Sequence, residues 1–220
     1  MPRILGIVLL AAAAHAVEIP FNLGLGPSLH HLPGPLENDG PFYYGFTTDL
    51  YAAITRELLQ QNIDKVPKKL RRYVKSTHEI AYKPGVLGWL PSQFVVHPRL
   101  RSTAVYGGTV SLISLGTALG ESPVFIPRVA VKLPTATYLY IDSDLLREDK
   151  HFLGLGASAL AEVKLAFSRQ VQLALRWDSH FYAPLETTRL TAASGKEENL
   201  WHHGVLSLLF QYRVMLDRKL

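Results

Sequence analysis

The sequence predicts an all-β fold, an up-and-down antiparallel β-barrel of about eight strands with a partly helical insert between strands 2 and 3. Three observations support this prediction. Alternation of apolar and polar residues recurs along most of the chain. Two of the alternating stretches run for about 15 residues, longer than strands in soluble sheets usually are. The polar faces of these stretches carry charged residues, which a dry core between two sheets would not accommodate.

The first 16 residues are predicted to be a cleaved export signal. A short positive start, Met1-Pro2-Arg3, precedes the apolar run ILGIVLLAAAA, and Ala14-His15-Ala16 supplies the small residues of a cleavage site. The apolar run is shorter than the about 20 residues of a membrane-spanning helix. The alternative is a buried N-terminal helix. We expect the mature domain to comprise residues 17–220.

The composition narrows the possible partners. The chain has no cysteine, which excludes disulfides, and it carries 23 Lys and Arg against 18 Asp and Glu. Nucleic acid is not an expected partner of an exported protein, so the basic excess indicates either contact with anionic lipid or no particular partner. No cofactor is predicted.

Eight stretches are strand candidates, and the most regular ones are at the two ends of the chain and in a hairpin around residues 168–170. The fourth and fifth are shorter and are separated by a predicted tight turn at residues 133–135. In chain order the candidates are VEIPFNLGLG, FYYGFTTDLYA, AVYGGTVSLISLG, VFIPRVAVKL, TATYLYID, HFLGLGASALAEVKLAF, VQLALRWDSHFY and LWHHGVLSLLFQYRV.

The connections between these candidates alternate in length. Residues 26–41 and 184–199 form long connections, whereas 133–135 and 168–170 are tight. Short turns at one end and long loops at the other are typical of barrels that cross a membrane. The connection at residues 53–100 breaks the rule, since it is long and lies on the side of the short turns.

Residues 53–100 are therefore predicted to form a helical or irregular periplasmic insert. The stretches YAAITRELLQQNID and VPKKLRRYVKS have helical spacing, and a Pro-paced segment through Trp89 and Phe94 follows, which could instead fold back as a plug in the lumen. The insert carries a basic run that we expect to dock against anionic headgroups or an acidic envelope protein. The alternative is a solvated helix face. The run consists of Lys65, Lys68, Lys69, Arg71, Arg72 and Lys75.

The charged faces of the strands are predicted to point into the barrel. Inside a closed barrel these side chains can pair with one another, while the apolar faces meet lipid and every backbone group is bonded to a neighbouring strand. An eight-stranded barrel is just wide enough for side chains to fill it. The predicted interior charge network is Glu162, Lys164, Arg176, Asp178 and Arg213, with Glu18 and Asp49 as further members.

With its signal-like start, its strand pattern and its final strand GVLSLLFQYRV, the chain resembles the small eight-stranded outer-membrane barrels of Gram-negative bacteria. The resemblance implies a location in the cell outer membrane, with lipid as the first partner. The sequence departs from the family in two respects. Such barrels commonly end on an aromatic residue, whereas here the last aromatic residue is Tyr212 and MLDRKL follows the final strand. The insert at residues 53–100 is also atypical.

Two motifs contain residue types that are used in catalysis or in metal binding. The stretch WDSHFY contains Asp178, Ser179 and His180, the residue types of a hydrolytic triad. On a strand, Asp178 and His180 share one face and Ser179 points away, so Ser158 or Ser207 would have to complete a relay. No catalytic residue is predicted.

Two pairs of adjacent histidines, His30-His31 and His202-His203, are the second motif. Neighbours on an extended chain point apart, so neither pair is a good chelate alone. The two pairs could approach each other at the outer end of the barrel. No metal site is predicted.

These features lead to a hypothesis of a non-enzymatic outer-membrane barrel. It would act as an anchor or accessory subunit of a transport, motility or surface-assembly complex, docking through its basic insert. The alternatives are a lipid-modifying barrel enzyme, a narrow pore and a soluble periplasmic β-sandwich.

Overall fold

A computed structural model of the chain describes residues 19–39, 42–55, 68, 79–82, 93–99, 102–119 and 124–216. The predicted signal at residues 1–16 lies outside these residues. The strands are β1 (Ile19–His31), β2 (Tyr43–Thr55), β3 (Glu79–Tyr82), β4 (Gln93–His97), β5 (Thr103–Ala118), β6 (Phe125–Ser143), β7 (Lys150–Ala166), β8 (Val171–Tyr182), β9 (Arg189–Thr191), β10 (Glu197–Asn199) and β11 (His202–Leu216). Short 3₁₀ helices lie at Gly34–Asp39 and Glu186–Thr188. In the described residues, no helix has the length and apolar character to span a bilayer.

The strands form one closed antiparallel barrel. Its order is β1-β11-β8-β7-β6-β5, and β5 pairs with both β3 and β4, which in turn pair with β2. β2 then pairs with β1 and closes the ring. Since β3 and β4 share one place in the wall, the ring has eight places. The predicted all-β, eight-stranded, up-and-down barrel is confirmed, and the two-sheet sandwich is not the fold.

The two ends of the barrel differ in their connections. Ile19 of β1 pairs with Leu216 of β11, so the first and last strands share one end, which we call the terminal end. The short β7–β8 turn is at this end. At the opposite end, the loop end, lie the 3₁₀ helix Gly34–Asp39 and the β9–β10 hairpin.

The predicted turn at residues 133–135 is wrong, because β6 runs unbroken through it. Two consecutive residues, Leu133 and Pro134, are exposed, and the buried positions change from even numbers up to Lys132 to odd numbers from Thr135 onward. The ladder to β7 shifts its register at the same place. A β-bulge thus reverses the faces of the strand without ending it, and in the sequence this reversal looks like a turn between two strands.

The helical insert predicted for residues 53–100 is also corrected. Residues 53–55 belong to β2, and β3 and β4 are wall strands that complete the ring between β2 and β5. Phe94 is exposed and its neighbours Gln93 and Val95 are buried, as in the other wall strands, so this part is not a plug. Apart from Lys68, whose backbone is helical, the remaining predicted helical residues lie outside the described part of the chain.

Burial in the barrel is the reverse of that in a soluble protein. On β7 the outward positions from Leu153 to Leu165 are Leu, Ala or Val, while Glu162 and Lys164 point inward and are buried. Leu25 on β1 is 59% exposed and Arg176 on β8 is 1% exposed. An apolar outer band around a polar interior is the distribution that a lipid environment requires.

Candidate functional site in the barrel lumen

Arg176 is the centre of an ionic layer in the lumen. Its Nη1 lies 2.6 Å from Oδ2 of Asp49, and its Nη2 and Nε lie 2.6 and 2.7 Å from Oε2 of Glu162. Asp49 is on β2 and Glu162 on β7, so the guanidinium joins two strands that are not neighbours in the wall. All three side chains are almost completely buried. Charge-assisted bonds of this kind are the compensation that buried charges require.

Glu162 receives further donors on its other side. Nη1 of Arg128 and Nζ of Lys164 each lie 3.3 Å from Oε1 of Glu162, and Nε2 of Gln211 lies 3.4 Å from Oε2. Lys164 also donates to the Tyr51 hydroxyl at 3.0 Å. This carboxylate therefore connects side chains from β6, β7, β8 and β11.

A second ion pair joins Lys132 of β6 to Asp178 of β8. Among the described charged residues of the interior, four cations therefore face three carboxylates. The lumen at this level is filled by paired charges.

The structure brings most of the predicted network together. Glu162, Lys164 and Arg176 are directly connected, and Asp178 is in the same layer through Lys132. Arg213 stands apart, because its Nε donates to Oδ1 of Asn22 at 3.1 Å rather than to a carboxylate. Glu18 lies outside the described residues.

Sequence reasoning missed Arg128 and Lys132, although a signal for them exists. In the stretch RVAVKL these two cations alternate with Val129, Val131 and Leu133, which is the pattern used for the other strands. The sequence does not identify them as lumen residues because the alternating stretch is short and ambiguous and ends at the predicted turn.

Above the ionic layer, towards the loop end, three inward histidines form a second layer. Nδ1 of His30 lies 3.3 Å from Nε2 of His203, and the centroids of these rings are 5.5 Å apart. The ring of His180 lies 5.7 Å from that of His203. Serine hydroxyls hold two of the rings, Ser28 at 2.7 Å from Nε2 of His30 and Ser158 at 2.6 Å from Nδ1 of His180. We call His30, His180 and His203 the histidine layer.

The two histidine pairs of the sequence do lie next to each other. In each pair, one ring points into the lumen and the other points outward. His30 and His203 are buried in the lumen. His31 and His202 lie on the outside with their rings 5.9 Å apart, and His202 also contacts Phe181 and Trp201. The outward pair belongs to an aromatic surface of the kind found where barrels meet the membrane interface.

The loop end of the lumen is closed by an apolar cluster. Five leucines from the connections and from β9 pack against inward side chains such as Tyr43 and Phe152, and the Tyr43 hydroxyl donates to the carbonyl of Leu36. The five are Leu32, Leu36, Leu146, Leu190 and Leu200, and each is buried. The histidine layer is therefore covered from the loop end.

The residues weighed as a hydrolytic relay do not form one at the rim. Ser179 points outward and accepts a bond from Nε1 of Trp177 at 2.7 Å. Ser158 does meet His180, but both are buried, at 1% and 0% exposure, and Asp178 is engaged by Lys132. The pair is enclosed in the lumen.

Little of the basic run falls within the described residues. Lys68 is described and exposed. Lys65, Lys69, Arg71, Arg72 and Lys75 lie outside the described part. Of the strands that flank the run, β2 ends at Thr55 and β3 begins at Glu79, and these two residues pair at the terminal end.

The chain has no match among protein-family profiles or among curated proteins, but it is similar to solved outer-membrane barrels. Neisserial surface protein A, NspA, has a TM-score of 0.51 and 10% identity, over 88% of this chain and 97% of that chain. The outer membrane protein OprG from Pseudomonas aeruginosa has a TM-score of 0.46 and 8% identity, over 92% of this chain and 98% of that chain. Ail of Yersinia pestis has a TM-score of 0.44 and 8% identity, over 90% of this chain and 100% of that chain. At such identity the likeness to NspA shows the fold alone, and it confirms the resemblance to small eight-stranded outer-membrane barrels.

Proposed function

We propose that the protein is a closed, non-enzymatic barrel of the outer membrane that serves as an anchor or accessory subunit of an envelope complex. The observation that carries this proposal is the set of side chains that occupy the lumen of the described strands. Ion pairs occupy one level, imidazoles the next, and leucines cover the loop end. A solute path would require several buried charges to separate, each at a cost of several kcal/mol. Docking to a partner is therefore assigned to the surfaces of the barrel.

The position of the strand ends on either side of the basic run supports docking through this run. The flanking residues Thr55 and Glu79 are at the terminal end, which also has the short β7–β8 turn. In outer-membrane barrels the end with short turns faces the periplasm. The six cations of the basic run, which the sequence carries between these two residues, suit an acidic envelope protein or the anionic headgroups of the inner leaflet.

A charge reversal tests the docking. Lys68, Lys69, Arg71 and Arg72 are replaced together by Glu, and photo-cross-linking in isolated membranes from a label on Gln170→Cys, in the exposed β7–β8 turn, compares the adducts formed by variant and wild type. We expect the wild-type adduct to be lost in the variant, because the replaced side chains would then repel an acidic partner. The matched control reverses Arg147, Lys150, Arg189 and Lys196 near the loop end and should keep the adduct. An adduct that survives in the first variant, or is absent from the wild type, removes the docking proposal.

A separate experiment tests the closed lumen. Purified protein in planar bilayers should give no stepwise conductance, because its charges are paired across the lumen. Steady single-channel steps from the wild type would favour the narrow pore instead. The lipid-modifying enzyme has weaker support, since Ser158 and His180 lie beneath the apolar cluster.

A further inference from the structure

The histidine layer is more specific than lumen filling requires. Its three members come from neighbouring wall strands, β1, β11 and β8, and His203 is paired directly across the ladder from His180. Each is at most 1% exposed. Apolar side chains of similar volume would fill the same space without a need for hydrogen-bond partners. Three imidazoles at one level therefore point to a role for their nitrogens.

The spacing of these nitrogens suits a shared cation. Two imidazole nitrogens bound to one tetrahedral zinc ion at about 2.0–2.1 Å lie about 3.3 Å apart. Nδ1 of His30 and Nε2 of His203 are 3.3 Å apart. Without a cation, an N–H···N hydrogen bond between the two neutral rings occupies this distance.

The groups around the layer hold the rings as metal ligands are usually held. Histidine ligands typically use their second ring nitrogen for a hydrogen bond that fixes the tautomer. Ser28 contacts Nε2 of His30 and Ser158 contacts Nδ1 of His180, and Thr47 in turn donates to Ser28 at 3.0 Å. In the tautomer that donates from Nε2 to Ser28, His30 would turn the Nδ1 lone pair towards His203.

The wall also leaves room for the first ring. A Cβ atom at Gly45 on β2 would lie 3.1 Å from Nε2 of His30 and 2.2 Å from the carbonyl oxygen of Val96. Glycine at this position therefore leaves room for the His30 ring beside β2.

We propose that the histidine layer binds one borderline divalent transition-metal ion, such as Zn²⁺, with His30 and His203 as preset ligands and His180 as the third. No three acidic or histidine side chains of the described residues are already converged as a metal site, so three-ligand binding requires the His180 ring to turn towards the other two. Imidazole ligands select Zn, Cu or Ni over Mg or Ca. The excess of cations in the ionic layer below also disfavours a hard ion held by charge alone. This inference is independent of the docking proposal.

Zinc binding to the full chain in detergent tests the proposal. Protein stripped with a chelator is titrated with Zn²⁺ against a chelating indicator, and we expect about one ion per chain. His30→Gln and His203→Gln should each weaken zinc binding at least tenfold. Ser28→Ala should weaken it by about 10–100-fold, because the tautomer of His30 is then no longer fixed by a hydrogen bond. Co²⁺ as a second probe should give the visible absorption of tetrahedral nitrogen ligation in the wild type.

The outward pair provides the control. His31→Gln and His202→Gln remove histidines next to the layer along the chain but outside the lumen, and zinc affinity should stay unchanged. Gel mobility with and without heating verifies that each variant is folded. A wild type without zinc affinity overturns the proposal, as does equal binding by the folded inward variants or a loss of binding in the outward ones. If an inward variant does not fold, the wild-type titration and Ser28→Ala decide.

Discussion

At the scale of single residues, Arg176 has the largest structural consequence. Its guanidinium compensates Asp49 and Glu162 in a part of the lumen where all three side chains are almost completely buried. Removing one partner from a buried ion pair costs more stability than replacing the whole pair by apolar residues, because the remaining charges keep their desolvation cost.

Arg176→Met should therefore lower the free energy of unfolding by about 3–5 kcal/mol. The measurement is a urea titration of the protein in lipid vesicles. Arg169→Met is the control, because Arg169 is exposed in the β7–β8 turn and its loss should change stability little. Equal stability of the two variants would mean that the layer is not held by Arg176.

Two inward glycines on adjacent strands offer a matched comparison. A Cβ at Gly45 would lie 2.2 Å from the carbonyl oxygen of Val96, whereas a Cβ at Gly24 would meet nothing closer than 3.4 Å. We expect Gly45→Ala to cost about 1–3 kcal/mol through overpacking and Gly24→Ala to cost much less. The same urea titration measures both, and a larger loss for Gly24→Ala would contradict the packing described for this wall.

At the scale of elements, the most informative feature is the eighth strand position in the barrel wall. It is shared by β3 and β4, which join β2 and β5 over only a few residue pairs. The alternation of Gln93, Val95 and His97 against Phe94 and Val96 is as regular as in longer strands. Short strands closing a long wall are a feature that hydropathy patterns detect poorly.

Cysteine labelling tests the place of β4, and the chain has no cysteine of its own. Phe94→Cys should react with a lipophilic maleimide in vesicles, because this position is 43% exposed on the outer face. Val95→Cys should be protected until the protein is unfolded, because this position is 0% exposed. Equal labelling of the two folded variants would place residues 93–97 outside the wall.

At the scale of the whole molecule, closure is the main source of stability. Every wall strand has neighbours on both sides, so the ring has no open edge in the part of the chain described, and the backbone groups are satisfied where lipid offers no hydrogen bonds. The ion pairs across the lumen add cross-connections between strands that are far apart in the ring. A barrel built in this way opens cooperatively.

Closure makes the folded state visible on a gel. Protein extracted in detergent should run at one apparent mass when kept cold and at another after boiling, because the ring survives detergent until it is heated. Arg176→Met should convert at a lower temperature than the wild type. A single unshifted band for unheated and heated wild type, with protein in the soluble periplasmic fraction, would contradict a membrane-inserted barrel.

The local pattern of this chain determines its fold class and the direction of most side chains. Where Glu162, Lys164 and Arg176 alternate with Val163, Leu175 and Trp177, a period of two assigns one face to lipid and the other to the lumen. The local pattern does not determine which strands pair, since pairing also involves strands far apart in the chain. Only the tertiary structure decided that a bulge continues β6 through Pro134, that β3 and β4 complete the ring, and that His30 meets His203. The first depends on the ladder between β6 and β7, and the other two depend on pairing between strands far apart in the chain. Local alternation assigns each residue a face, but it does not identify the residue opposite it on the next strand.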